Sequence, residues 1–191
     1  LDLSRLEDGS MRPRMESVSL DMLFGEVATV FTPQAAQSGL RLRCRAPLRG
    51  TAWVHADPAL LRQMVFNLLH NALRYTPDEG RVTARVVPQG DFVLLEIEDS
   101  GIGIADDEAH KVFDRFYRVE GTGVEGSGLG LAIVGEIAEL HRAAASLRAH
   151  SPTATGERPP GAVARVVFPA HRLPAAISEH EQTGSSQVQS E

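Results

Sequence analysis

The sequence predicts an α/β (α+β) two-layer sandwich, with a mixed, mostly antiparallel sheet covered on one face by about three helices. Three observations predict it. Segments that alternate apolar and polar residues occur as neighbours, above all Arg81–Val87 and Phe92–Glu98 on either side of Pro88-Gln89-Gly90-Asp91, the clearest hairpin in the chain. Three longer segments carry apolar residues at helical spacing. The two kinds of segment interleave along the chain, and a sheet with one apolar face needs helices to cover it.

In chain order, Leu1–Glu7 places Leu1, Leu3 and Leu6 as in the end of a longer helix, and Asp8-Gly9-Ser10 stops it. A helical stretch begins within 17–24 and runs to about Ser38-Gly39, with Phe24, Val27, Val30 and Phe31 on an apolar stripe. Leu40–Arg45 alternates and reads as a strand with one wet face; Thr51–His55 is a short strand. Asp57-Pro58 opens the strongest helix. Asp is a good N-cap, and proline is tolerated in the first turn, where its missing N–H would be unpaired anyway. This helix ends near Tyr75-Thr76-Pro77, a short helix is expected over Asp106–Arg115, and Gly121–Gly130 is a glycine-rich loop. Leu131–Leu140 reads as a helix, Ala144–His150 and Val163–Phe168 as a last strand pair, and the polar tail beyond Pro174 as disordered.

With 191 residues, 42% hydrophobic and 23% charged, the chain has material for one soluble domain with a proper core. No apolar run approaches the ~20 residues of a membrane span. The single cysteine, Cys44, excludes an internal disulfide and fits a reducing cytoplasm. A net charge of −6, with the basic residues scattered along the chain, argues against a nucleic-acid binder.

Three segments carry chemistry. At about 100° per residue, Leu61, Met64, Val65, Leu68 and Ala72 form the core face of the Asp57 helix. Asn67, Asn71 and Arg74 share a polar stripe beside it, with Tyr75 nearby, while His70 is expected on the exposed side. Two amides four residues apart can address one ligand, and an amide oxygen suits Mg²⁺, yet a solvated stripe would look the same. Glu98-Asp99-Ser100-Gly101-Ile102-Gly103-Ile104 ends a strand. Its glycines allow close approach of backbone to a ligand, and Asp99 could accept from a base amine or simply begin a turn. Gly126-Ser127-Gly128-Leu129-Gly130 opens a helix, as a phosphate cradle does, but lacks the Gly-Lys-Ser/Thr of a Walker A loop.

Together, Asn67-x-x-x-Asn71-Ala72, Asp99-x-Gly101-x-Gly103, Phe113-Asp114-Arg115-Phe116-Tyr117-Arg118 and Gly126-x-Gly128-x-Gly130 resemble, in order, the nucleotide-binding boxes of sensor histidine kinases. The resemblance covers roughly Leu1 to Pro169. It implies ATP and Mg²⁺ as cofactors and Asn67, Asn71 and Arg118 as the catalytic positions. Asn71 would coordinate Mg²⁺ and Asn67 support it. Asp99 would bind the adenine amine above a floor shaped by Gly101 and Gly103. Tyr75 would pack near the adenine, and Arg74 would lie beside the phosphates. Phe113 and Phe116 would anchor the lid, with Arg118 reaching the terminal phosphate. Gly126, Gly128 and Gly130 would wrap the triphosphate under Leu129. Related ATPases (gyrase, mismatch-repair and heat-shock chaperone proteins) carry a glutamate where this chain has Asn67, and a neutral amide is a far poorer general base.

Further implications are an ATP-binding domain over 11–173, a disordered tail over 174–191, and residues 1–10 as the end of a dimerisation helix. The partners implied are that upstream phosphoacceptor domain, a response regulator and a second copy in the full-length kinase, in a cytoplasmic setting without membrane or nucleic-acid contact by this fragment. The chain departs from the family in two places. The lid stretch Val119–Glu125 has two glutamates and no cation, and His141-Arg142-Ala143 stands where His-Gly-Gly is usual. None of the seven histidines lies on a helix before an acidic residue, as an acceptor would. The competing readings are a degenerate binding module and a stand-alone anti-sigma-type serine kinase.

Overall fold

The computed structural model describes residues 12–47, 50–118, 127–150 and 161–172. Strands are β1 (Glu16–Ser19), β2 (Arg41–Arg45), β3 (Trp53–Ala56), β4 (Arg81–Gln89), β5 (Phe92–Asp99), β6 (Ala144–Ala149) and β7 (Ala162–Pro169). Helices are α1 (Leu20–Gln37), α2 (Pro58–Tyr75) and α3 (Gly130–Leu140). A five-stranded sheet runs in the order β2-β4-β5-β7-β6, antiparallel throughout except for the parallel pair β2–β4. The mixed, mostly antiparallel sheet under three helices is thus the architecture found.

Alternation decides which sheet face is buried. Val82, Ala84 and Val86 of β4, Val93, Leu95 and Ile97 of β5, and Ala164, Val166 and Phe168 of β7 join one core with the helices. From α1 come Phe24 and Phe31, and from α2 Leu61, Met64, Val65, Leu68 and Ala72, the five residues the periodicity selects. Leu60, Leu69 and Leu73 are buried too, so the apolar arc of α2 is wider than that stripe. The start of α2 is well capped: Asp57 Oδ1 accepts from the N–H groups of Ala59 (2.9 Å) and Leu60 (3.1 Å).

Four expectations need correction. Residues 16–19 form β1, paired antiparallel with β3 in a separate two-stranded sheet, and α1 begins only at Leu20, whose N–H donates to Ala52 O. Val30 is 65% exposed and lies off the buried stripe of α1. Asp106–Arg115 is not a helix. Its bonds, such as Lys111 N to Glu108 O and Asp114 N to Lys111 O, mostly span three residues and leave a single 3₁₀ turn at Lys111–Phe113. With only Val112 buried there, packing does not offset the cost of a longer helix.

The fourth concerns the basic residues, which are scattered in sequence but not in space. The registers bring Arg41, Arg43 and Arg45 of β2, Arg81 and Arg85 of β4, Arg165 of β7 and Arg148 of β6 to the sheet face opposite the helices, against Glu96 and Glu98 of β5. Glu96, 2% exposed, is held between Arg85 (Nε to Oε1, 2.7 Å) and Arg165.

Outside the described residues lie the Leu1–Glu7 stub, Gly126, the lid stretch Val119–Glu125 and the tail beyond Pro174. Among the described residues no helix is long and apolar enough to cross a membrane.

Candidate nucleotide site

A cavity of about 420 Å³ opens between α2, the ends of β5 and β7, and the start of α3. That volume falls within the range of small-molecule sites. Its lining includes residues from the four motifs: Asn67, Asn71, Arg74 and Tyr75; Asp99 and Gly103; Tyr117 and Arg118; and Gly128, Leu129 and Gly130.

Asp99 closes one end. Its Oδ1 accepts from the N–H groups of Gly101 (2.9 Å) and Ala162 (3.2 Å). Its Oδ2 has no hydrogen-bond partner among the described residues and remains available on the cavity wall. The aspartate therefore both begins the turn and keeps an oxygen for a ligand. Burial raises its carboxyl above the ordinary value, opposed by the Gly101 and Ala162 N–H groups. Gly101 is not a lining residue but is forced to be glycine. A Cβ there would lie 2.8 Å from the Tyr75 carbonyl carbon and nearer still to its oxygen. Ile102 N–H donates to that same oxygen at 3.3 Å, tying the turn to the end of α2.

Two residues outside the sequence motifs hold this end in place. His150 Nε2 lies 2.9 Å from Asp99 O. Gly161 (φ +127°) packs against the same carbonyl so closely that a Cβ would come within 3.0 Å of its carbon. No periodicity marks either residue, because the contact joins chain segments far apart in sequence.

At the other end, Asn67 Nδ2 donates to Gly130 O at 3.2 Å, joining α2 to the first residue of α3. A Cβ on Gly130 would stand 3.4 Å from the Asn71 amide, so glycine leaves the space before Asn71 open. The first N–H groups of α3 have no partner within the helix, and Leu129, its N-cap, offers no side-chain bond. Gly128 (φ +68°) approaches Phe116 and Tyr117, where a Cβ would lie 2.9 Å from Phe116 C and Tyr117 O.

The placement of Phe116 differs from the expectation. Its backbone meets the glycine loop, but its ring, on a residue with φ +60°, is 72% exposed and does not line the cavity. Phe113 is half-buried and packs against the core and beside Gly135. Tyr117 takes the lining position, its hydroxyl donating to Glu108 Oε1 at 3.0 Å. His70 is likewise not on an exposed face. It stacks on Phe66 (centroids 6.0 Å apart), lines the cavity and is held below its ordinary pKa by burial and by Arg74.

The family profile of histidine kinase-, DNA gyrase B-, and HSP90-like ATPases matches residues 56–172. The chain belongs to this ATPase family. Among curated relatives it is 38% identical over 140 residues to the sensor protein kinase PmrB of Pseudomonas aeruginosa, covering 73% of this chain and 29% of that protein. It is 33% identical over 144 residues to the aerobic respiration control sensor protein ArcB of Escherichia coli, covering 73% and 18%. The chain thus spans less than a third of the length of these sensor kinases. Among solved structures, a mycobacterial sensor histidine kinase, MprB, superposes with a TM-score of 0.71 at 28% identity, covering 84% of this chain and 100% of that one. Full-length ShkA in complex with AMPPNP superposes with a TM-score of 0.74 at 26% identity, covering 90% and 34%.

Proposed function

We propose that this chain is the ATP-binding catalytic domain of a sensor histidine kinase, donating the γ-phosphoryl group of ATP to a histidine on an upstream dimerisation domain. The observation that carries the reading is the convergence of four separated motifs on one cavity. A relative of similar fold, ShkA, is described as a complex with the ATP analogue AMPPNP. In this reading Asp99 Oδ2 accepts from the adenine amine beside Tyr75. The first N–H groups of α3, with Leu129, Gly128 and Gly126 before them, receive the phosphates. Arg74 and Arg118 supply positive charge at the phosphate side.

The residues fit Mg²⁺. Asn71 offers a hard oxygen in the space Gly130 leaves open. Mg²⁺ commonly takes few protein ligands and completes its shell with water and phosphate oxygens. Bound there, it would neutralise phosphate charge. Phosphoryl transfer needs mainly positioning and charge neutralisation, so the nucleophile can sit on another domain. Asn67, an amide, does not activate water. Residues 1–10 are assigned in the same reading to the end of the dimerisation helix, 11–173 to the ATP-binding domain and 174–191 to a tail. The full-length protein would act as a homodimer that signals to a response regulator from the cytoplasm.

Isothermal titration with a non-hydrolysable ATP analogue tests the reading. Saturable binding is expected, and Asp99→Ala should lose both affinity and the preference for ATP over GTP. Adding the upstream helical hairpin should yield acid-labile phosphohistidine on it, abolished by Asn71→Ala. No heat at millimolar analogue from a folded chain sinks the proposal. Rapid, Asn71-dependent hydrolysis by this chain alone would make it an ATPase instead.

A further inference from the structure

The polar stripe of α2 begins one turn before Asn67. Gln63 Nε2 donates to Asn67 Oδ1 at 3.1 Å, while Asn67 Nδ2 donates to Gly130 O at 3.2 Å. A backbone carbonyl can only accept, so Gly130 O requires the NH₂ side of the Asn67 amide. The Asn67 oxygen must then face back along α2, where the Gln63 NH₂ meets it. The chain Gln63–Asn67–Gly130 is thereby fixed in direction, each link donating to the next acceptor. Gln63 is half-buried and does not line the cavity, so it reaches a ligand only through Asn67.

What this chain of bonds secures is the start of α3. That helix has no side-chain cap, and its first residue carries no side chain. Its position along α2 also sets how far Gly130 stands from the Asn71 amide. We propose that Gln63 is a positioning residue: it locks the Asn67 amide as a strap between α2 and α3, and so sets the phosphate-binding end of α3 in register with Asn71. Asn67 acts in this arrangement through its NH₂ group as a tie and not through its oxygen as a metal ligand. The inference rests on the nucleotide reading of the cavity and adds a residue that the motifs do not contain.

The two roles separate by metal dependence. A strap shapes the cradle whether or not Mg²⁺ is present, whereas a metal ligand matters only when Mg²⁺ is bound. Binding of a non-hydrolysable ATP analogue is measured for the wild type, Gln63→Met and Gln63→Glu, in Mg²⁺ and in EDTA, with urea unfolding of each variant. Met removes the donor, and Glu keeps the shape but cannot donate when ionised. Each variant should bind about fivefold more weakly, the loss of one ordinary hydrogen bond, by the same factor in both conditions. In phosphotransfer to the upstream hairpin, KM for ATP should rise by that factor while kcat at saturating ATP holds within about twofold, because the cradle meets ground and transition states alike. Asn67→Asp should also weaken binding in both conditions, since a carboxylate facing Gly130 O repels it.

Unchanged affinity in folded Gln63 variants overturns the proposal. So does a loss confined to Mg²⁺, or tighter Mg²⁺-dependent binding by Asn67→Asp, since either makes Asn67 a metal ligand. Failure of the wild type to bind the analogue refutes the nucleotide reading itself, and is recognised before any variant is compared.

Discussion

Replacing Gly101 by alanine tests whether the Asp99 turn is built on a glycine for lack of space. The added Cβ would sit 2.8 Å from the Tyr75 carbonyl carbon and 2.9 Å from Asp99 Oδ1, with the Tyr75 oxygen closer than either. The Tyr75 atoms are backbone and cannot swing aside as a side-chain end can, so backbone must move. The displacement breaks two hydrogen bonds, Gly101 N–H to Asp99 Oδ1 (2.9 Å) and Ile102 N–H to Tyr75 O (3.3 Å). At about 1 kcal/mol each, with about 1–3 kcal/mol for overpacking, Gly101→Ala should cost about 3–5 kcal/mol. That is a large part of the roughly 5–15 kcal/mol of a typical domain. Urea unfolding followed through Trp53, the single tryptophan, reads the loss directly. Gly25→Ala in α1 is the control: a Cβ there meets nothing within 4 Å, and it should stabilise by about 0.5–1 kcal/mol. If Gly101→Ala unfolds within about 0.5 kcal/mol of the wild type and still binds nucleotide, the close approach to Tyr75 is not what demands glycine.

Two further outcomes are expected. Arg142 adopts φ +53° after α3, a left-handed conformation that favours glycine. Relief of about 1–2 kcal/mol of left-handed strain, offset by about 0.4–1 kcal/mol of added unfolded-state entropy, should make Arg142→Gly more stable by about 0.5–1 kcal/mol, visible as a higher Tm. His141 is buried, its Nε2 accepting from Asp57 N–H (2.9 Å) and its Nδ1 beside Ile137 O, and burial lowers its pKa. The unfolded chain therefore takes up this proton first. The stability contributed by neutral His141 is complete above the unfolded value near 6.5 and is lost as pH falls below it, by at most about 1.4 kcal/mol per pH unit. Unfolding free energies of the wild type and of His141→Gln from pH 7.5 down to pH 5 should converge. Parallel curves would refute the burial argument.

What the sequence disclosed follows from the range of each interaction. α2 was legible because eighteen residues repeat one spacing and Asp57-Pro58 marks the start chemically. The motif residues are legible as a set through their order, and the structure brings most of them to one cavity. β1 is harder to read because a four-residue strand contains too few alternations to separate it from the helix that follows, whereas β3 is legible at Thr51–His55. Phe116 has its lid role from the resemblance alone, and neither periodicity nor composition signals its positive φ or the exposure of its ring. Gly161 and His150 were silent because their partner, the Asp99 carbonyl, lies some fifty to sixty residues away in the chain. The arginines look scattered in sequence because strand order, invisible in composition, is what assembles them on one face.

That arginine-bearing face changes how an anion meets this molecule. Although the chain is net negative, a triphosphate approaching it meets two attractive regions: the cavity under α2 and α3, and the side of the sheet away from the helices. The second offers charge without enclosure, so its hold is diffuse and depends on ionic strength: its field reaches about 30 Å in 0.01 M salt but only about 8 Å at 0.15 M. Titrations at low ionic strength should therefore superimpose a shallow, unsaturating uptake of nucleotide on the saturable binding proposed for the cavity. Charge-reversing Arg43 and Arg45 should remove the shallow phase, leaving the component that salt does not erase.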